Sequence, residues 1–420
     1  MGGAIRHAPF RASVHITVDS TGTLERMAEE PRCGATRPQR SLRVLRIYQS
    51  GVAEAWRARD RELINLGVDE TLVTARQWNE GGVNVLFDAG TDKFVHAIRT
   101  YGTRPNLFLY DPWQLWKIFG RHRFDLLDFH QEPCSFAMGE LLILRMLRAR
   151  RVLFVVYSAQ NIEKRYPPPF RWFERWCLRE AAGAYPCNEA AGEILRKKGL
   201  RGFLVNLPLG LDPADFVPAQ RDAPIPGRLH IGYVGRLAAH KGVDILLRAI
   251  ALAGNVTAEI VGDGPAAEQL EQLAHSIGLD DRVAFIGYLP PSDLPDFYHR
   301  LDVLVVPSIP LPGLNEQFCR VAIEAMASGV PVIASAIGAL PEVIGGSGLL
   351  VPPGDPEALA QALQTLSSDT GLWASLRSAG LQSVDKFFWS TVAKRQEALY
   401  QQSILSPETK PTNYPDIPLE

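Results

Sequence analysis

Short, nearly continuous apolar runs alternate with stretches of helical pattern along this chain, and that rhythm restricts the fold more than any other feature. RVLRIYQSG, apolar at Val44, Leu45, Ile47 and Tyr48, ends at Gly51 and leads into the charged helical stretch EAWRARDRELINLG. NVLFDAG, RPNLFLYD, FDLLDFHQE and RRVLFVVYS read as further strands, each followed by helix-forming residues. Strands apolar on both faces belong to parallel sheets covered by helices on either side. The expected fold class is therefore α/β, with a doubly wound, Rossmann-like domain over residues 43–207. The stretch LPLGLDPADFVPAQRDAPIPG holds five prolines and breaks the rhythm, which places a linker at 208–227.

The rhythm then restarts. LHIGYVG, TAEIVGDG, VAFIGY, VLVVPS, PVIAS and LLVPPGD alternate with helices expected from about Val243, Pro265, Ser292 and Cys319. A second, smaller doubly wound domain is expected over 228–385, then a terminal amphipathic helix over 386–405 and a tail over 406–420. Residues 1–42 show no sustained periodicity and read as a disordered leader or an overcalled start.

Two such domains leave a cleft between them, and ligands of open parallel sheets bind beyond the carboxyl ends of the strands. At 420 residues, with 46% hydrophobic and 21% charged residues, the chain has the composition of a globular protein larger than one core usually supports. It has no apolar run of about 18 residues and no apolar segment of a secretory signal at its start, so a cytoplasmic location is expected. Five scattered cysteines without a CxxC pair argue against a disulfide framework or a zinc site.

A net charge of −2 argues against nucleic-acid binding, although the halves differ. Residues 1–215 carry 31 Lys and Arg against 24 Asp and Glu, and residues 216–420 carry 13 against 22. In the basic half, FRWFERWCLRE sets Arg171, Arg175 and Arg179 at four-residue intervals beside Trp172, Phe173 and Trp176. It reads as a domain helix with an aromatic side inward and a basic side in water, or as a peripheral contact with an anionic inner membrane surface.

Three loops in the second half carry candidate chemistry. GRLAAHKG supplies Gly235, Arg236 and Lys241 at a strand end, a cationic pair with a glycine that suits a diphosphate or, equally, solvated surface charge. VGDGPAAEQL offers Gly262 and Gly264 in an incomplete dinucleotide fingerprint; the position twenty residues past Gly262 is Arg282 rather than an acid, so a structural turn near a base or ribose is the better reading.

The third is EQFCRVAIE, with Glu316 and Glu324 eight positions apart. A helix beginning near Cys319 would leave free N–H groups around Arg320 and Val321, which favour an anion. Eight residues of continuous helix span about 12 Å, more than the about 5 to 9.5 Å between glycosidase carboxylates. That spacing fits one polyol at each end of a diphosphate, as in a nucleotide sugar.

Together VGRLAAHKGVDILLRAI, IVGDGP, RVAFIGYL, DVLVVPS, EQFCRVAIEAMASGVPVIAS, GALPEVI and GLLVPPGD resemble the nucleotide-binding half of the family 4 retaining glycosyltransferases of GT-B fold. The resemblance runs from about Leu204 to Tyr400, and their E-x7-E motif falls on Glu316 and Glu324. It implies that Arg236 and Lys241 neutralise the leaving diphosphate without a metal. It also implies that Glu324 binds ribose hydroxyls, and that Glu316 and the backbone of Phe318, Cys319, Arg320 and Val321 hold the donor sugar. DLLDFHQEP places His130 where many members carry a histidine facing that sugar, and the first half looks like the acceptor half of bacterial polysaccharide enzymes.

Two departures stand out: Gln317 and Cys319 occupy positions where members often have glycine, and QSGVAEA replaces a double-glycine loop. The expected activity is sugar transfer from a nucleoside diphosphate sugar to a glycan or lipid-linked saccharide. A non-catalytic nucleotide-sugar-binding scaffold is the alternative, and a nicotinamide enzyme resting on the weak glycine loop is a third.

Overall fold

The computed structural model describes residues 41–80, 83–121, 123–220 and 222–405; the expected leader, up to residue 40, and the tail over 406–420 lie outside them. The first sheet holds seven strands: β1 Arg43–Ile47, β2 Asp69–Ala75, β3 Val95–Ile98, β4 Leu126–Phe129, β5 Leu153–Ser158, β6 Gly183–Pro186 and β7 Phe203–Leu204. All pair in parallel, in the order β7-β6-β5-β4-β1-β2-β3. Its helices are α1 Ala58–Asn65, α2 Pro112–Arg121, α3 Phe136–Arg148, α4 Phe170–Glu180 and α5 Glu189–Lys197.

The second sheet holds β8 Leu229–Val234, β9 Val256–Val261, β10 Val283–Gly287, β11 Val303–Val306, β12 Val332–Ser335 and β13 Gly348–Val351, in the order β10-β9-β8-β11-β12-β13. Its helices are α6 Val243–Ala253, α7 Ala267–Ser276, α8 Leu294–Arg300, α9 Arg320–Ala327, α10 Leu340–Ile344, α11 Pro356–Ser368 and α12 Thr370–Ser383. In each sheet the order reverses beside the first strand, at β1/β4 and β8/β11, which is where a doubly wound sheet opens a crevice for ligand.

Two expected strands are not in the first sheet. Val83–Leu86, overlapping the start of NVLFDAG, pairs antiparallel with Gln77–Glu80 and leaves Leu86 68% exposed. Within RPNLFLYD only Leu109–Tyr110 is extended, paired antiparallel with Thr100–Tyr101. A strand with one wet face has no place inside a sheet covered on both sides. The sheet takes DETLVTA and VHAI instead, whose apolar pattern is interrupted by Glu70, Thr74 and His96; Glu70 and Thr74 are nonetheless buried.

No regular element occurs among the described residues between Leu204 and Leu229. The terminal helix, α13 Trp389–Leu405, follows the second domain in the chain but completes the core of the first. Its Trp389, Val392, Leu399 and Tyr400 join Val44, Leu63, Leu126, Val155 and Tyr185 in one apolar cluster.

Candidate active site

The loops after β8 and β9 are packed backbone to backbone. Gly262 has φ +136°, and a Cβ there would run into the carbonyl oxygen of Gly235; a Cβ on Gly264 would run into that of Leu237. Gly235 donates to the Val261 carbonyl at 3.0 Å. Gly262 and Gly264 thus serve the close approach of two loops, whereas a Cβ on Gly235 would meet the side chain of Tyr233.

The β8 loop brings Lys241 to Glu316. Gly242, at φ +66° and tight against the Pro307 carbonyl, turns the chain after a single 3-10 turn at Ala239–Lys241. Lys241 Nζ then lies 2.8 Å from Glu316 Oε2, and the Ser308 hydroxyl donates to the same oxygen at 3.0 Å. Arg236 is exposed, with no side-chain partner among the described residues, and it is the free cation of the loop. Burial, together with Lys241, pushes the His240 imidazole below its usual range, so the cluster does not gain a third full charge at neutral pH.

Helix α9 begins at Arg320 with Cys319 as its extended N-cap, so Glu316 lies in the preceding loop and Glu324 in the second turn. Half of the interval between the two glutamates is irregular, and the span of a continuous helix does not apply to it. Glu324 is buried, accepts from the Tyr298 hydroxyl at 2.9 Å and pairs with Arg320 at 3.2 Å. An ionised carboxylate has about four acceptor positions, so both contacts leave room for hydroxyl donors.

The first-turn N–H groups at Arg320 and Val321 have no intrahelical acceptor. Side chains at two other expected contact positions turn away. Phe318 packs on Phe387, with ring centres 6.0 Å apart, and Cys319 is buried, its thiol pushed up to about 12 by burial and by Glu316. These two residues offer backbone rather than side chains, because an apolar ring and a neutral thiol gain more by burial than by facing a polar ligand.

The first domain grips this loop. Asn161, beyond β5, donates to the Glu316 carbonyl at 2.7 Å, and Asn188, beyond β6, donates to the Gln317 carbonyl at 2.8 Å. Arg320 also lies over the Trp56 ring at 4.7 Å. The carboxyl ends of the two sheets therefore meet at the peptide between Glu316 and Gln317. Sequence reasoning missed both asparagines; SAQN directly after β5 and PCN directly after β6, each a polar amide at a strand end, were the available signal.

His130 ends β4, with its ring between Tyr48, 4.0 Å away and tilted, and Tyr157, 3.8 Å away and stacked. Burial and the charge of Arg46 hold its pKa well below the usual range. It adjoins the same loop through Tyr157 and Cys187, whose thiol points at the Gln317 carbonyl at 3.6 Å. On α4, Arg171, Arg175 and Arg179 are exposed together with Trp172, while Cys177 and Leu178 face the core. Among the described residues, no three His, Cys, Asp or Glu side chains are grouped so as to hold a metal ion, and no helix is long and apolar enough to cross a membrane.

Residues 228–369 match the family model described as glycosyl transferases group 1. The described chain as a whole has the two-domain GT-B architecture: an Anabaena protein, HepE, solved in complex with UDP, superposes with a TM-score of 0.65 at 20% identity over 85% of this chain and 99% of that one. Its similarity shows the fold. Among curated proteins, a 2-deoxystreptamine glucosyltransferase of Streptomyces kanamyceticus is 31% identical over 56% of this chain and 64% of its own length. A D-inositol 3-phosphate glycosyltransferase of Corynebacterium kroppenstedtii is 33% identical over 46% of this chain and 47% of its own. The chain thus spans about half to just under two thirds of these relatives, and the matched domain is the one that carries Arg236, Lys241, Glu316 and Glu324.

Proposed function

We propose that this protein is a retaining glycosyltransferase that moves a sugar from a nucleoside diphosphate sugar to a saccharide or lipid-linked acceptor of envelope polysaccharide assembly. The observation that carries the reading is the pairing of Lys241 with Glu316 in the loop before α9, a loop held from the first domain by Asn161 and Asn188, with Arg236 exposed on the same β8 loop as Lys241. The matched family segment supports it, as do UDP in the HepE complex and the glycosyltransferase relatives.

In this reading the diphosphate lies between Arg236, Lys241 and the N–H groups of α9, while Glu324 accepts from the ribose hydroxyls and Glu316 orients the sugar. The bond from the anomeric carbon to the phosphate oxygen breaks, the acceptor oxygen bonds that carbon on the same face, and its proton passes to the departing phosphate. Arg236 and Lys241 stabilise the charge that develops on the diphosphate, which makes a metal dispensable. Lys241 is already shared with Glu316, so Arg236 supplies the larger uncompensated charge. The site of action would be cytoplasmic, with the basic, Trp172-bearing face of α4 touching an anionic inner membrane surface.

Calorimetric titration of UDP and of GDP, each with and without EDTA, tests the reading. One nucleotide binding at micromolar concentration, unaffected by EDTA and abolished in Glu324→Ala, is the expected result. Absence of binding by both would overturn it.

A further inference from the structure

The histidine at the end of β4 is surrounded in a way that leaves it one chemical role. Its Nδ1 lies 3.1 Å from Arg59 Nη2, 3.3 Å from Arg46 Nη2 and 3.2 Å from the Tyr185 hydroxyl oxygen. A guanidinium has only N–H donors and does not lose its proton in a protein. Two of the three neighbours can therefore only donate, and a proton on Nδ1 would point at them. The Tyr185 hydroxyl directs its own proton to Asp128 Oδ1.

Both arginines are held where they are. Arg46 is fully buried and paired with Asp60 and Asp128. Arg59, 4% exposed, lies over the rings of Tyr185 at 5.5 Å and of Trp389 in α13 at 6.0 Å. The other edge of the imidazole is different. Nε2 has no hydrogen-bond partner among the described residues, yet it is not one of the buried orphaned polar atoms, so the 5% exposure left to His130 falls at this edge.

We propose that Arg59 and Arg46 are positioning residues that fix His130 as the neutral tautomer with its proton on Nε2, so that the ring donates a hydrogen bond to an oxygen in the cleft. That oxygen belongs to the bound donor, a sugar hydroxyl or the departing phosphate, and in this respect the inference rests on the glycosyltransferase reading. A ring whose Nε2 carries the proton and whose Nδ1 is blocked by two cations takes no proton from an acceptor hydroxyl. His130 then orients or stabilises and does not act as a base.

The groups that face it agree from every side. Arg46 and Tyr48 come from β1 and the residue after it, Arg59 from α1, Asp128 from β4, Tyr157 from β5 and Tyr185 from β6. Among the described residues no carboxylate hydrogen-bonds the ring; Asp60 and Asp128 pair with Arg46. Protonation would set a third positive charge against two guanidiniums, and burial with Arg46 accordingly lowers the imidazole's proton affinity.

The test is nitrogen NMR on the full chain labelled at its nine histidines, in the absence of substrate, with His130→Gln used to assign the signal. A bare Nδ1 and a protonated Nε2 throughout pH 5.5 to 8 are expected. A proton on Nδ1, or titration near pH 6.5, would overturn the inference whatever the enzyme transfers, so its failure is separate from that of the functional reading. Arg59→Met should let the signal move toward a tautomer mixture and introduce an acid limb into kcat/KM that the parent lacks. An unchanged signal in a folded Arg59→Met would remove Arg59 from the proposal. Glutamine carries a neutral N–H donor near the position of Nε2, so His130→Gln should keep at least about tenfold more kcat/KM than His130→Phe. Equal losses in the two would count against a donor role.

Discussion

Asn188→Asp separates the grip between the domains from the helix cap that Asn188 also provides. Oδ1 accepts from the Ala191 N–H and caps α5, while Nδ2 donates to the Gln317 carbonyl at 2.8 Å and to the Cys187 sulfur at 3.4 Å. Aspartate caps a helix as well as asparagine does, but its second oxygen would face the Gln317 carbonyl with no hydrogen between them. The loss of the bond costs about 1 kcal/mol, and two apposed acceptors at a 1% exposed position add about 1 to 3 kcal/mol. A total of about 2 to 4 kcal/mol shifts the balance between closed and open domains by about 30- to 800-fold.

Energy transfer between dyes on the two domains should therefore report a longer mean separation in the variant, and donor affinity should fall by up to the same factor. The circular dichroism of α5 and the urea midpoint of the first domain should stay close to the parent. Asn188→Ser, which keeps a cap and drops the donor without adding a charge, should fall between. If Asn188→Asp shows parental dye distances and a donor affinity within twofold of the parent, the contact between Asn188 and Gln317 does not govern closure.

Three further outcomes follow from local chemistry. Burial pushes the Glu140 carboxyl, which accepts from the Tyr110 N–H, up to about 7. A raised acid costs nothing below its unfolded pKa near 4.5 and loses stability as pH rises through 7, so Glu140→Gln should stabilise by about 2 to 3 kcal/mol at pH 8 and by almost nothing at pH 4, read by denaturant titration. Gly262→Ala drives a methyl into the Gly235 carbonyl at a φ that favours glycine and should cost about 2 to 4 kcal/mol, with a fall in Tm and weaker nucleotide binding. Tyr400→Phe removes a 2.5 Å hydrogen bond to buried Asp128 and should destabilise the first domain by about 1 to 3 kcal/mol in urea unfolding, with UDP affinity unchanged.

What could be read in advance was whatever the chain encodes locally. Most residues of the second domain's strands are apolar, and helix α6, entered from Gly242 at Val243, and the extended entry to α9 at Cys319 agree closely with expectation. Arg236 and Lys241 could be picked out as candidates because they follow a buried strand, and Glu316 and Glu324 because of their eight-residue interval. In the first domain the same rule misled: β2 and β3 carry polar residues, and the more apolar NVLFDAG and RPNLFLYD contribute a hairpin strand and a two-residue bridge instead. Apolar pattern reports which faces are covered, and burial of Thr74, whose hydroxyl donates to the Gln49 carbonyl at 2.9 Å, reverses it.

The remaining structure was illegible for a further reason, because its partners are far apart in the chain. Asp128 is met by Arg46, by Tyr185 and, from α13, by Gln396 at 2.7 Å and by Tyr400. Each alone is an ordinary residue: an arginine inside a strand, an aspartate flanked by leucine and phenylalanine, a glutamine and a tyrosine on a helix near the chain end. A buried charge is tolerable only when several such partners arrive together. Asp128 thus ties the terminal helix to the histidine in the cleft: Gln396 and Tyr400 of α13 donate to Asp128, Asp128 and Asp60 together pair with Arg46, and Arg46 stands against His130.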